Sequence, residues 1–211
     1  MHIRHSTPND IPRIMEIYRT ARSFMAAHDN PNQWGATNWP PEELIRQDIA
    51  DGNSYVCVES PGFENSSPGT ENSSPGSENS STGTENSSTG TESIRNQNDP
   101  ACPEEDIIAT FFYTSGYRCE PTYNEIIDGK WIGNDTYGVV HRIASSGTVR
   151  GAGAFCLDWA FRKCKHLRID THPDNYVMQN LLKKLGFQQC GTIYVIEDND
   201  PRLAYEKTDT E

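Results

Sequence analysis

The sequence predicts an α/β domain with a mixed β-sheet. Three observations predict it. Strand-like and helix-like runs alternate along the 211 residues once one low-complexity stretch is set aside. The C-terminal half reads strand–helix–strand–helix–strand–strand, so the strands flanking the first of those helices must pair in parallel by a crossover. The low-complexity stretch itself separates two strand-like runs, as an extended hairpin loop would.

The elements follow in chain order. His2–His5 reads as a short strand. From Pro8 to about His28, the apolar residues Ile11, Ile14, Met15, Tyr18 and Ala21 recur at three or four positions, so a helix is predicted. Thr7 is its N-cap and Pro8 its first residue. Pro41 to Ala50 is a second helix, stopped by Gly52. "SYVCVE", Ser54–Glu59, and "DIIATFFYT", Asp106–Thr114, are strands. "PTYNEIIDGKW", Pro121–Trp131, is a helical turn or short helix ending near Gly129. "YGVVHRIAS", Tyr137–Ser145, is a strand, Gly151 or Ala152 to Lys165 a helix, and "HLRIDTH", His166–His172, a strand. Asn175–Leu185 is a helix stopped by Gly186. Phe187–Ile196 and Arg202–Thr208 are strands joined by the turn "EDNDP".

Residues Glu64–Ser93 repeat with a period of seven: ENSSPGT, ENSSPGS, ENSSTGT, ENSSTGT, then ES. No position is apolar, so this is no coiled coil. Such a composition cannot bury enough surface to offset the entropy of ordering, and 61–105 is predicted to be a disordered insertion into a single domain covering 1–211. Between Glu64 and Asp99 it carries six acids and one Arg, which is −5 of the net charge of −12. Its four N-x-S sequons, at Asn65, Asn72, Asn79 and Asn86, would suit a glycosylated stalk on a secreted protein. The N-terminal "MHIRHSTPND" has no apolar core of a signal peptide, which favours a cytoplasmic protein.

With 18 basic against 30 acidic residues, the chain offers no broad basic stripe to a phosphate backbone, and no nucleic-acid partner is expected. No apolar run reaches membrane-spanning length, so no membrane partner is expected. The six cysteines form no C-x-x-C and have no His at metal-ligand spacing, and no metal is expected.

"TVRGAGAFCLDWAF", Thr148–Phe161, places glycines directly before a helix and just after a strand. Free N–H groups, close approach and the helix dipole there suit an anionic phosphate, although an ordinary strand-to-helix turn reads the same way. The stretch has no Walker G-x-x-x-x-G-K-[ST], and the third glycine of the dinucleotide motif is missing.

Taken together, "VVHRIASSGTVRGAG", "LRIDTHPDN" and "NYVMQNLLKKLGF" resemble the GNAT superfamily of acetyltransferases in order and spacing. The first is similar to that family's strand and R-x-x-G-x-[GA] pyrophosphate loop, the second to its next strand with a trailing Asn, the third to its helix ending in K-x-G-F. The likeness is strong over Tyr137–Thr208 and weak over the N-terminal strand and helix. "PTYNEIIDGKWIGNDTYGVVHR" is similar to a segment of one bacterial subgroup. The resemblance implies a twisted, mostly antiparallel sheet of about six to seven strands with a splayed parallel pair and helices on both faces. It implies acetyl-CoA as co-substrate, a primary amine as acceptor, direct attack in a ternary complex, and a monomer or homodimer. It assigns the co-substrate to Ile143, Ala144 and Ser145 on the strand, to Arg150, Gly151, Ala152, Gly153, Ala154 and Phe155 in the loop and first turn, and to Asn175. Phe155 departs from the Gly or Ala at the last loop position. Leu182 stands where many members carry a Tyr that protonates the leaving thiolate. These departures define the alternative, a GNAT-fold acyl-CoA-binding module with weak or no turnover.

A primary amine with a pKa of about 10 is only about one part in a thousand neutral at pH 7, so a base must take its proton. His141, on the strand beside Ile143, is the leading candidate, and Asp170 on the following strand is the second. Asp170 would point into the cleft or bind Arg142. Glu125 reads as a surface acid, and Asn175 or Asp174 as the cap of the last helix. Trp34, Trp39, Tyr123, Trp131 and Tyr137 supply core, and some of them an acceptor pocket. Deleting Glu64–Ser93 should leave the melting temperature and acetyl-CoA affinity nearly unchanged in a thermal-shift titration; a large loss of either would show that the repeat folds onto the domain.

Overall fold

A computed structural model describes residues 1–31, 33–35, 37–59, 106–196 and 199–209. The predicted insertion lies outside the described residues. The strands are β1 (His2–His5), β2 (Ser54–Glu59), β3 (Asp106–Tyr117), β4 (Thr136–Ser145), β5 (His166–Thr171), β6 (Gln188–Tyr194) and β7 (Pro201–Thr208). The helices are α1 (Ile11–Ala27), α2 (Glu42–Ala50), α3 (Ala152–Cys164) and α4 (Tyr176–Lys184). One seven-stranded sheet has the order β1-β2-β3-β4-β5-β7-β6. Every neighbouring pair is antiparallel except β4 and β5. The α/β mixed sheet predicted from the sequence is therefore the fold observed.

Side-chain alternation explains why helices cover both faces. In β2, Val56 and Val58 pack with Ile14, Ile17 and Tyr18 of α1 and Ile45 of α2. Cys57, between them, packs on the other face with Cys156, Leu157 and Ala160 of α3 and Leu182 of α4. The N-terminal helix begins as predicted at Thr7, where the Thr7 and Asp10 side chains and backbones form a capping box, with Pro8 opening a 3-10 turn before α1. The "PTYNEIIDGKW" stretch is shorter than a helix. Only Pro121–Asn124 forms a 3-10 turn, and Ile127 then pairs with Thr192 at the β6 edge.

The segment before β4 is tied down by a buried charge. Glu206 on β7 is fully buried and accepts from Arg168 Nε at 2.8 Å, from the Ile132 backbone N–H, and from Gly133 N at 3.2 Å. Its Oε1 lies 2.5 Å from His166 Nε2, while His166 Nδ1 meets the Thr136 carbonyl at 2.8 Å. Arg168 also donates to Asn134 O at 3.0 Å and lies between the rings of Trp131 and Tyr137, 4.3 and 4.0 Å from their centroids. This arrangement clamps the entrance of β4 onto β5 and β7.

Burial alone would raise the Glu206 pKa. The hydrogen bonds from His166 and Arg168 outweigh it and hold the carboxyl at about 2, against an ordinary 4.5. By linkage that difference contributes about 3 kcal/mol of stability, present above the unfolded-state pKa and lost as the folded-state pKa is approached. Stability should therefore fall as pH drops from about 5 toward 2. Glu206→Gln should flatten that dependence and cost about 3–5 kcal/mol at neutral pH, because the Arg168 guanidinium is left buried without its counter-charge. Urea unfolding of both proteins at pH 3, 5 and 7 measures both effects; equal slopes would sink the assignment.

Candidate active site

The parallel pairing of β4 with β5 lasts for two register pairs, Gly138↔Leu167 and Val139↔Arg168. Beyond Val139, β4 stays paired to β3 as far as Ser145, while β5 stays paired to β7 as far as Thr171. The two strands part, and among the described residues the edge of β4 that faces β5 has no strand partner from Val140 onward. A cleft of about 820 Å³ opens between them, with Val140 to Ser145 on one wall and Ile169, Asp170 and Thr171 on the other. An unpaired strand edge inside a cleft presents backbone N–H and C=O groups to a ligand.

A bulge shapes the open part of β4. Thr110 pairs with Ala144 and Phe112 with His141, so β4 carries one residue more than β3 over this span. Arg142 takes up the bulge with φ of 53°. Three contacts hold it: Tyr18 Oη donates to the Arg142 carbonyl at 3.0 Å, Arg142 Nη2 donates to Asp48 Oδ2 at 2.7 Å, and the guanidinium lies 4.7 Å from the Phe112 centroid. Arg142 therefore pairs with Asp48 and not with Asp170.

At the C-terminal end of β4, Ser145, Ser146, Gly147 and Gly153 line the cleft. Gly151 caps α3 with φ of 88°, a conformation that favours glycine. The Phe155 N–H binds the Gly151 carbonyl at 2.9 Å. By helix geometry the N–H groups of Ala152, Gly153 and Ala154 then have no intrahelical acceptor. A Cβ on Gly153 would meet only Leu181, at 3.6 Å, so the absence of a side chain keeps the cleft open there. This end has the donors, the open backbone and the helix N-terminus that an anionic diphosphate needs.

The structure places the sequence candidates as follows. Ile143, Ala144, Ser145, Gly153 and Asn175 are cleft walls. Arg150 and Gly151 are exposed at the start of α3, Ala152 is buried, Ala154 is half-buried, and Phe155 packs against the core on the α3 face. Asn175 caps α4, accepting from Met178 N at 3.0 Å, and its Nδ2 donates to Gln33 Oε1 at 3.1 Å. Asp174 does not cap the helix. Leu182 is fully buried in the core, and it is Met178 and Leu181 of α4 that reach the cleft.

His141 and Asp170 come together. His141 Nδ1 is 3.6 Å from Asp170 Oδ1, which also accepts from Tyr123 Oη at 2.7 Å. His141 Nε2 is 2.8 Å from Glu120 Oε2. Glu120, His141 and Asp170 all line the cleft. Burial would raise the Glu120 pKa, but the hydrogen bond and charge of His141, with help from the Thr122 N–H at 3.0 Å, bring it down to about 2. An ionised carboxylate can only accept, so His141 Nε2 carries a proton and Nδ1 is the nitrogen left for exchange.

Glu120 was not among the sequence candidates, and Glu125, which was considered, is exposed. The one signal that could have found Glu120 is its place before Pro121, where an acidic N-cap opens a 3-10 turn and is thereby fixed. Of the five aromatics, Trp34 and Trp39 line the cleft, Tyr123 and Tyr137 are buried, and Trp131 stacks on Arg168. Among the described residues no group of three potential metal ligands occurs, and no helix is long and apolar enough to cross a membrane.

No protein-family model matches the chain, and no curated protein is significantly similar to it. Solved structures are. A GNAT-family acetyltransferase from Streptococcus agalactiae is 26% identical, with a TM-score of 0.66 over 100% of this chain and 96% of that one. A putative acetyltransferase from Staphylococcus aureus shares the fold at 17% identity and a TM-score of 0.56, over 99% of both chains. A ribosomal-protein-alanine N-acetyltransferase from Brucella melitensis does so at 15% identity and 0.51, again over 99% of both. With the forked sheet and the glycine-led α3, these likenesses show that the chain has the fold of the GNAT acetyltransferases.

Proposed function

We propose that the protein transfers the acetyl group of acetyl-CoA to a primary amine by direct attack, with both substrates bound at once. The observation that carries the reading is the fork between β4 and β5, because it leaves a strand edge and a helix N-terminus facing the same cleft. The pantetheine amides of the co-substrate add to the β4 edge around Ile143–Ser145 as an extra strand would. Its diphosphate lies over Gly151–Ala154 at the N-terminus of α3, and Asn175 contributes from α4.

The amine enters beside His141. Its nitrogen attacks the thioester carbonyl carbon, a C–N bond forms, the C–S bond breaks, and CoA leaves as the thiolate. A backbone N–H of the open β4 edge faces the carbonyl oxygen as charge builds there. The amine proton goes to His141 Nδ1, while Glu120 holds Nε2–H and fixes the ring. Asp170, 3.6 Å from Nδ1, offers the acquired proton an acceptor. Glu120 thus acts on the ring as the orienting carboxylate of a triad does.

The first test is thermal stabilisation by acetyl-CoA, CoA and NAD in parallel. At about a hundred times the dissociation constant, a bound ligand adds about 2.7 kcal/mol. Both CoA forms should stabilise and NAD should not. Gly153→Glu should remove the shift, since it puts a carboxylate where the diphosphate lies; an unchanged affinity would reassign the loop to a plain helix start. His141→Gln should lower kcat by about 10²-fold or more with the acetyl-CoA shift intact, the range for loss of a general base. Glu120→Gln, which keeps an acceptor for Nε2–H, should cost about tenfold. Retention of full kcat in His141→Gln would move the base elsewhere.

A further inference from the structure

Resting on the acetyltransferase reading, we infer that the acceptor is a small primary amine on an apolar, preferably aromatic, body that carries neither a carboxylate nor a second ammonium group.

The wall facing the fork is largely apolar, with Thr20, Gln33 and Thr37 as its polar members. Phe24 and Met25 of α1, Trp34 and Trp39 of the α1–α2 connection, and Leu44 of α2 all line the cleft. Trp34 meets Tyr18 edge-on at 5.8 Å, and Tyr18 holds the carbonyl of Arg142, the neighbour of His141. The adjacent Gln33 reaches across to Asn175 at the start of α4. Gln33 and Asn175 therefore join across the cleft, and both indoles line it together with His141. Phe24 and Trp39 stay 46% and 37% exposed. Two large apolar side chains left to water in one cleft mouth gain from an apolar ligand and nothing from a hydrated polar one.

The charges narrow the class further. Two guanidinium groups line the cleft, and both are committed. Arg142 pairs with Asp48, and Arg202 pairs with Asp200 and lies 3.9 Å from Asp170. An amino acid would bring its α-carboxylate to a cleft whose described walls hold no uncommitted cation. The two acids on those walls, Glu120 and Asp170, are both bound to the His141–Tyr123 system that handles the proton. A polyamine would then bury a second ammonium with no carboxylate to receive it.

The test is CoA release by the full-length protein with 2-phenylethylamine, L-phenylalanine, spermidine and a tetrapeptide with a free N-terminus. The first two amines differ only by the carboxylate. The expected result is a kcat/KM for 2-phenylethylamine at least tenfold above each of the others. Trp39→Ala, at a partly exposed position whose hydrogen bonds among the described residues are made by its backbone, should raise KM for 2-phenylethylamine about tenfold. It should leave kcat and the acetyl-CoA thermal shift nearly unchanged, and Trp34→Phe should have a smaller effect. Equal or better use of L-phenylalanine, spermidine or the peptide, or no use of 2-phenylethylamine, overturns the inference. The acetyl-CoA shift, measured on the same sample, separates the two levels. Without a shift the acetyltransferase reading itself fails; with a shift and a different preference, only the acceptor class fails.

Discussion

Two strands that pair for two residues and then separate set the terms for the rest of this molecule. A parallel pair running to full length would bury the β4 edge and leave nothing for a ligand to bind. A pair with no contact at all would leave β5, β6 and β7 unattached to the other half of the sheet. The structure therefore needs a firm closed end and a supported open end. The closed end is fixed by Glu206, which draws His166, Arg168 and the backbone of Ile132 and Gly133 onto one buried carboxylate. The open end is supported from the opposite face by α1 and α2, where Tyr18 and Asp48 hold the bulged Arg142 by its carbonyl and its guanidinium.

The two ends use buried charge in opposite ways. Glu206 has every neighbour it needs and no route to solvent, so its charge serves stability alone. Glu120 and Asp170 are also tied, but through His141, which lines a cleft and not a closed core. An imidazole answers both carboxylates, His166 at Glu206 and His141 at Glu120, so the difference lies in access. His166 is buried against Glu206 and the Thr136 carbonyl, whereas His141 lines the cleft, where a ring that can gain a proton meets a ligand.

Much of this was legible in the sequence, for identifiable reasons. The helix periods of α1 and α3, the alternation of β2 and the glycines before α3 are local signals, and each reports an element within a few residues of where it lies. His141 and Asp170 could be named because strand order brings β4 beside β5. The rest depended on contacts between residues far apart in the chain. Glu120 meets His141 across 21 positions and Arg142 meets Asp48 across 94. The bulge at Arg142 has no glycine to announce it, since φ of 53° is imposed here on an arginine by its partners. Trp34 and Trp39 lie in a connection without regular structure, where periodicity carries no information.

Leu182 shows how such a contact changes the chemistry expected. A hydroxyl at that position would supply the proton to the departing sulfur, yet the side chain is fully buried among Leu157, Leu167 and Phe187 on the α3 face. A phenol there would have to bury its O–H in an apolar core or distort α4 to reach the cleft. The helix instead presents Met178 and Leu181 to the cleft. A free thiol titrates near pH 8.5, so CoA can depart as the thiolate at neutral pH without an acid at its side. On the proposed reading the apolar α4 wall serves the pantetheine arm by contact, and the demand for proton transfer falls on the amine alone, beside Glu120, His141 and Asp170.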